Sequence, residues 1–235
     1  MKFIVLSMDN EIGEMRRELI NYEYEWFKAK EPTKDFVDRF YFRAKTKERK
    51  MKGIAGCFYN HTEIMKYIYE NDLYDVIVCE DDSLLRNDID LENIKGEDVC
   101  LLSAWLAHPT SWEKNRGWKY EGEFKVGINK MKYDEYRFVG TGAIYYPTPT
   151  KTKELYDSIM NSEKKFRPFD LFLSYNKMIN YLYYPSPLIC IDCIDKDRKL
   201  KKKKDSQISV NGNGAIIDYR ISKKEEFDEI VKLLI

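Results

Sequence analysis

At 235 residues, the chain is long enough for one domain built around a sheet with helices on both faces, and its 43% hydrophobic and 34% charged residues are typical of a folded protein. Its 40 basic and 40 acidic residues balance, so the overall charge gives no reason to expect nucleic acid as a partner.

The N-terminal apolar run at residues 3–6 is short and is soon followed by Asp9 and Glu11, which is not the pattern of a signal peptide. No later stretch reaches the ~20 apolar residues that a membrane span needs. The five cysteines are scattered, which is typical of reduced thiols. We therefore expect a cytoplasmic protein without a transmembrane segment.

The first fifty residues predict two strands, one helix and a charged connection. The apolar run at residues 2–7 predicts a buried first strand. Asp9 or Asn10 then caps a predicted helix. The aromatic-rich residues 24–29 predict a second strand. The strongly charged residues 33–52 are expected to form a surface connection, either a loop or a solvated helix.

A long helix and two strands follow. Gly53 begins a helix that is predicted to end near residue 71, and residues 75–79 and 98–104 are apolar runs that predict buried strands. Because strands alternate with helices, the chain predicts an α/β fold with a mostly parallel central sheet flanked by helices. We expect the strands at residues 2–6, 75–79 and 98–104 to be neighbours. One face of the helix carries Cys57, His61, Ile64, Met65 and Ile68.

The second half of the chain predicts a loop-rich region and then further core elements. One domain is expected over residues 1–235, with its core at about 1–195 and a basic loop and helix at 196–235. The predicted elements are a loop-rich region at 105–136, a strand at 138–146, helices at 151–161 and 171–181, and a last strand at 183–192.

Three consecutive carboxylates, Glu80, Asp81 and Asp82, follow the predicted strand at residues 75–79. Three adjacent negative charges repel one another unless a cation neutralises them. In open α/β sheets, ligands bind at this end of the strands. Oxygen ligands suit Mg²⁺ or Mn²⁺. On an extended segment Glu80 and Asp82 point the same way, so both are expected to face one ligand. The alternative is an acidic loop or a helix N-cap.

Several motifs occur in an order that resembles one enzyme family. They are Gly53-x-x-Gly56-Cys57-x-x-Asn60-His61, the strand end Glu80-Asp81-Asp82, Gly140-Thr141-Gly142, Pro168-Phe169-Asp170, and an opening strand with Arg16 nearby. Over roughly residues 1–195 this order resembles glycosyltransferase family 25, the lipooligosaccharide and collagen galactosyltransferase group. The sequence departs from that family's pattern at Ser7-Met8-Asp9, Ile54, Asn60 and Phe169.

The resemblance implies a GT-A type nucleotide-sugar-binding fold and a divalent cofactor, Mn²⁺ or Mg²⁺. It also implies inverting transfer of a hexose, galactose or glucose, from a UDP-sugar to an oligosaccharide or glycoconjugate. Asp82 and Glu80 are the implied metal ligands, with Glu80 reaching the ribose or a metal-bound water. The residues implied for donor binding are Ser7, Arg16, Glu80, Asp81, Gly140 and Thr141.

Inversion is a single displacement, so a carboxylate has to accept the proton of the acceptor hydroxyl. Asp170 is the candidate for this catalytic base. It precedes a predicted helix, so the alternative role is that of an N-cap.

Other features are assigned to structure rather than chemistry. His61 is expected to be a hydrogen-bonded core residue, with a metal ligand as the alternative role. The Cys190-x-x-Cys193 pair is expected to be small buried side chains, because no second ligand pair lies nearby. The basic run at residues 198–204 is either a solvated loop or a lid over the donor. Trp105, Trp112 and Trp118 either stack on an acceptor sugar or fill the core.

Two other functions remain open at this point. One is a sugar- or nucleotide-binding domain without turnover. The other is a metal-dependent phosphoesterase or nuclease that uses the same carboxylates. Sites of that kind commonly recruit further carboxylates or histidines, and this chain has only two histidines.

Overall fold

The computed structural model describes residues 1–18, 20–40, 48–86, 90–107, 124–184 and 186–190. The hypotheses about Trp112, Trp118, Cys193, the basic run at 198–204 and the C-terminal helix concern residues outside these ranges.

The described residues form nine strands and five α-helices. The strands are β1 (Lys2–Ser7), β2 (Glu25–Lys28), β3 (Val76–Glu80), β4 (Ser83–Leu85), β5 (Cys100–Ala107), β6 (Gly127–Lys130), β7 (Arg137–Tyr146), β8 (Tyr181–Tyr184) and β9 (Leu188–Cys190). The helices are α1 (Glu11–Arg17), α2 (Lys34–Val37), α3 (Glu48–Glu70), α4 (Pro149–Met160) and α5 (Phe169–Tyr175), with a short 3₁₀ helix at Leu91–Ile94.

Seven of the strands form one sheet in the order β2-β1-β3-β7-β5-β8-β6. β1 is parallel to both β2 and β3, and β5 is parallel to β8. β7 is antiparallel to its neighbours β3 and β5, and β6 is antiparallel to β8. The α/β class is therefore confirmed, but the sheet is mixed. The strands predicted at 75–79 and 98–104 run in the same direction without being neighbours, because β7 lies between them.

Both faces of the sheet are buried. Ile4 of β1 and Val78 of β3 belong to a large apolar cluster that includes side chains from helices α2 to α5. Val5 and Ile77 face the opposite side, in a smaller cluster with Ile94 of the 3₁₀ helix. This explains why β1 and β3 are nearly continuous apolar runs, since a strand covered on both sides has no polar face.

Local capping residues begin three of the helices. Asn10, one of the two predicted caps, accepts a hydrogen bond from the Gly13 amide at 2.9 Å at the start of α1. Thr33 caps α2 by accepting from the Phe36 amide. Thr148 caps α4, which has proline at its first position. Side-chain oxygens at these positions satisfy amides that lack a helical partner.

The prediction that residues 33–52 are only a surface connection is wrong. Helix α2 lies in this segment, and Phe36 and Phe40 are buried there against Phe58 of α3 and Phe166. Helix α3 begins at Glu48 rather than at Gly53. The many charged residues of the segment dominated its sequence pattern. Its two buried aromatic side chains nevertheless pack the segment onto the core.

The helix predicted at residues 171–181 is shorter than expected. Helix α5 ends at Tyr175, and Lys177 adopts the left-handed backbone conformation with φ of 54°. A left-handed residue just after a helix ends it and turns the chain, here into β8. The loop-rich region predicted at 105–136 likewise contains the end of β5 and all of β6.

No helix among the described residues is both long enough and apolar enough to cross a membrane.

Candidate functional site

A cleft of about 600 Å³ lies at the carboxyl ends of β1 and β3. The two strands are parallel, with Leu6 opposite Glu80 at their ends, so the residues that follow both strands meet at one edge of the sheet. Helix α3 and the chain after β2 form other parts of the wall. Four of the residues predicted for donor binding line this cleft: Ser7, Arg16, Glu80 and Asp81.

Asp81 is the centre of a hydrogen-bond network in this cleft. It is only 8% exposed. The Ser7 hydroxyl donates to its Oδ2 at 2.7 Å, and the Arg16 guanidinium donates to its Oδ1 at 3.0 Å. Both oxygens are therefore bound by protein groups, and Arg16 compensates the carboxylate charge. Asp81 accordingly positions Ser7 and Arg16 in this structure.

Arg17 extends the network and was not predicted. Its guanidinium donates to the Ser7 hydroxyl at 2.7 Å and to the Met8 carbonyl at 2.9 Å. It also lies over the ring of Trp26, 3.9 Å from the ring centroid. The Trp26 indole in turn donates to the Ser7 carbonyl at 3.2 Å. Trp26 in the aromatic-rich run at residues 24–29 was the signal in the sequence, because tryptophan is the aromatic residue that binds cations best.

Gly13 allows helix α1 to pack closely on the end of β1. A Cβ atom at this position would lie 2.2 Å from the Met8 carbonyl oxygen and 2.7 Å from the Ser7 hydroxyl. Both distances are shorter than any van der Waals contact, and the first involves backbone that cannot rotate away. Glycine at this position therefore keeps Ser7 and the chain after it in place.

We expect Gly13→Ala to lower the melting temperature, although alanine normally stabilises a helix by up to about 1 kcal/mol relative to glycine. The clash with the Met8 carbonyl reverses that sign. Gly53→Ala in α3 is the matched control, because a Cβ atom added there would have no atom within 4 Å, and it should keep or raise the melting temperature. Thermal unfolding of both variants tests this, and a stabilising Gly13→Ala would contradict the packing argument.

The two predicted metal ligands differ in their surroundings. Strand β3 ends at Glu80, and Asp81 and Asp82 form a turn before β4, so the expected alternation does not extend to Asp82. Glu80 lines the cleft with its side chain 35% exposed. The charge of Asp82 acts on Tyr22, whose pKa is raised chiefly by burial and secondarily by Cys79 and Asp82. Asp82 therefore lies near Tyr22, and it is not among the residues that line the cleft, so the structure does not bring it to Glu80.

Asp170 is in the first turn of α5, and Pro168 rather than Asp170 is the N-cap residue. The Gly140 amide donates to Asp170 Oδ2 at 2.8 Å, which ties α5 to β7. Burial is the main cause that raises the pKa of Asp170. The Gly140 and Leu171 amides oppose this effect, and the charge of Glu80 adds to it. Asp170 is thus close enough to Glu80 for their charges to interact.

Gly140 and Thr141, the other two residues predicted for donor binding, lie in β7. Gly140 has a left-handed φ of 78°, a conformation that glycine adopts without strain, and its amide binds Asp170. Thr141 is 4% exposed. The structure thus brings Gly140 to Asp170, while Ser7, Arg16, Glu80 and Asp81 share the cleft.

His61 is buried as predicted, with 1% exposure, but it is not hydrogen-bonded as a core histidine usually is. Neither ring nitrogen has a hydrogen-bond partner among the described residues. Cys57, one turn earlier in α3, reaches the cleft surface with its Sγ closely surrounded by protein atoms. That desolvation, and then the charges of Glu80 and Asp170, raise the pKa of the Cys57 thiol.

Comparison of the chain with models of known protein families gives no match, and comparison with curated proteins gives none either. The assignment to glycosyltransferase family 25 therefore stays a prediction from the motifs.

Proposed function

We propose that this protein is a GT-A type, metal-dependent glycosyltransferase. It transfers a hexose, galactose or glucose, from a UDP-sugar to a hydroxyl of an oligosaccharide or glycoconjugate with inversion. One observation carries the proposal. Ser7, Arg16 and Glu80 come from three separate segments and meet in one cleft at the carboxyl ends of two parallel strands. Nucleotides bind at this edge of open α/β sheets.

Cationic side chains of the cleft wall can bind a diphosphate. Arg16, Lys30 and Lys52 line the cleft, beside the acidic Glu31, Glu80 and Asp81. Arg16 is held by Asp81, so its guanidinium is already oriented before a ligand binds. Fixed cationic donors bind phosphate oxygens with charge-assisted hydrogen bonds and lose little entropy in doing so. We assign the UDP moiety to this wall.

The proposed cation, Mn²⁺ or Mg²⁺, is assigned to Glu80 and Asp82. Both are carboxylates, the ligand type that a hard cation prefers, and Asp81 between them is already bound by Ser7 and Arg16. Glu80 lines the cleft, whereas Asp82 is not among the lining residues and would have to turn toward Glu80 to share the cation. When bound, the cation would supply positive charge for the leaving diphosphate.

Asp170 remains the proposed base. A general base works best when its pKa is near the working pH, and burial beside Glu80 raises the pKa of Asp170 in that direction. The hydrogen bond from the Gly140 amide fixes the orientation of the carboxylate. A fixed carboxylate of this kind can take a proton from an acceptor hydroxyl.

A UDP-release assay tests the function directly. UDP-glucose, UDP-galactose, UDP-N-acetylglucosamine and UDP-xylose are each supplied with Mn²⁺, with Mg²⁺ and with chelator, with and without oligosaccharide acceptors. We expect release of UDP from one hexose donor, and we expect chelator to abolish it. Donor binding without release would instead identify a binding domain. Metal-dependent hydrolysis of a phosphodiester in place of UDP release would identify a phosphoesterase.

A further inference from the structure

Three side chains of different chemistry converge beside the cleft, outside the network of Asp81. Cys57 and His61 are four residues apart on α3 and therefore share one helical face. Glu80 ends β3, which shares an apolar cluster with α3. One potential ligand atom from each residue lies within 4.8 Å of the other two. His61 Nε2 is 3.7 Å from Glu80 Oε1.

The separation between His61 and Glu80 is close to what a single bound cation requires. A histidine nitrogen and a carboxylate oxygen bound to one tetrahedral zinc ion at about 2.0–2.2 Å lie roughly 3.3–3.5 Å apart. The distance of 3.7 Å between His61 Nε2 and Glu80 Oε1 is slightly longer than that separation and is too long for a hydrogen bond. The two groups therefore face each other across a gap that a small cation would bridge.

His61 supplies the second, independent observation. Its ring is 1% exposed, and neither nitrogen has a hydrogen-bond partner among the described residues. Leaving a buried polar group without a partner is costly, so an orphaned buried nitrogen calls for an explanation. The ring is stacked on Phe169, with centroids 4.3 Å apart and planes 12° apart. This packing fixes the imidazole plane with Nε2 directed at Glu80.

The ligand set indicates which cation fits. A thiolate and an imidazole are soft or borderline ligands, and together with one carboxylate they suit Zn²⁺ better than Mg²⁺ or Mn²⁺, which prefer oxygen. We propose that Cys57, His61 and Glu80 form a three-ligand Zn²⁺ site. Cys57 and Glu80 line the cleft, and His61 is buried behind them, so the fourth coordination position opens into the cleft.

The site is distinct from the cation assigned to glycosyl transfer, although Glu80 belongs to both sets. It rests on ligand chemistry and geometry and does not require that the protein be a transferase. Cys57 binds as the thiolate, and the proton of the thiol passes to the buffer as the Zn–S bond forms.

Metal titration of the full chain tests the site. Protein stripped with chelator and dialysed should bind one equivalent of Zn²⁺ in calorimetry. Substitution with Co²⁺ should produce a thiolate-to-cobalt charge-transfer band and the intense visible bands of tetrahedral Co²⁺. Cys57→Ser should abolish the charge-transfer band and weaken Zn²⁺ binding at least ~100-fold, more than the loss of a group that only orients a ligand.

Three further variants make the result specific. His61→Phe keeps an aromatic ring against Phe169 but removes both nitrogens, so it should also lose the site. Asp82→Asn should retain it, as should the double variant Cys190→Ser/Cys193→Ser, which removes the other closely spaced thiol pair. Circular dichroism and melting curves confirm that each variant is folded.

The proposal is overturned if Co²⁺ gives no thiolate band, or if Zn²⁺ affinity is unchanged in Cys57→Ser. It is equally overturned if only the Cys190/Cys193 variant loses binding. Failure of the transferase proposal looks different, since it would appear as absent UDP release while the Zn²⁺ and Co²⁺ titrations remain positive.

Discussion

Replacing Asp82 by Asn is expected to lower metal-dependent turnover at least ~100-fold. The substitution keeps the shape of the side chain but removes the charge assigned to the cation, which costs several kcal/mol of stabilisation of the leaving diphosphate. The melting temperature should stay level or rise, because the crowding of like charges at Glu80, Asp81 and Asp82 is relieved. Steady-state kinetics at saturating Mn²⁺, together with thermal unfolding, measure both effects.

Asp81→Asn is the matched contrast, one residue away. Asp81 accepts hydrogen bonds from Ser7 and Arg16 and is nearly buried, so losing its charge weakens both hydrogen bonds. Hydrogen bonds to charged groups contribute about 1.5–3 kcal/mol, and the melting temperature should fall. The assignment of the cation is wrong if Asp82→Asn turns over normally, or if the two variants lose stability equally.

Much of the fold could be predicted because the central strands carry a strong local signal. The runs at residues 3–6 and 76–79 are apolar throughout, and β1 and β3 contain them. The position of β7 could not be predicted in this way. Its pairing with β3 and β5 depends on contacts distant in sequence, and the pattern of residues 138–146 shows only that a strand is present.

The errors in the predicted fold also arise from contacts between residues that are distant in sequence. Phe36 and Phe40 lie among many charged residues, so the average polarity of residues 33–52 indicated a surface segment. Their burial depends on contacts with Phe58 and Phe166, which come from distant segments. Helix α5 ends where Lys177 adopts a left-handed conformation. Lysine carries no general preference for that conformation, so no local signal marked the end.

The candidate site was predictable in part for a comparable reason. Residues at the carboxyl ends of β1 and β3 must meet at one edge of a parallel pair, so Ser7 and the acidic strand end were identifiable. The residues that reach the site only through the packing of other elements were not identifiable from the sequence. Arg17 with Trp26, and Gly13 beneath Ser7, depend on how α1 lies on the sheet. The i, i+4 spacing of Cys57 and His61 was the signal that could have drawn attention to a metal site.

The substitution Asp170→Asn is expected to lower kcat at least ~100-fold while leaving UDP-sugar binding almost unchanged, since a base acts only in the chemical step. Asn can still accept the hydrogen bond from the Gly140 amide, so the link between α5 and β7 should survive. Calorimetric titration with the donor and steady-state kinetics separate the two effects. Asp134→Asn is the control, because that side chain is 98% exposed, and it should turn over normally.

Stability against pH provides a second readout for the same variant. Burial raises the pKa of Asp170, so its ionised form is disfavoured in the folded protein. The contribution of Asp170 to stability is therefore complete below the unfolded carboxyl pKa of about 3.9 and is lost as the pH rises through the raised folded pKa. Asn is neutral throughout, so the melting temperature of Asp170→Asn relative to the parent should increase as the pH rises above about 4 and through the raised folded pKa of Asp170. Normal turnover in this variant would assign the base to another residue, whereas an unchanged difference in melting temperature across that range would show that Asp170 is not held in a desolvated environment.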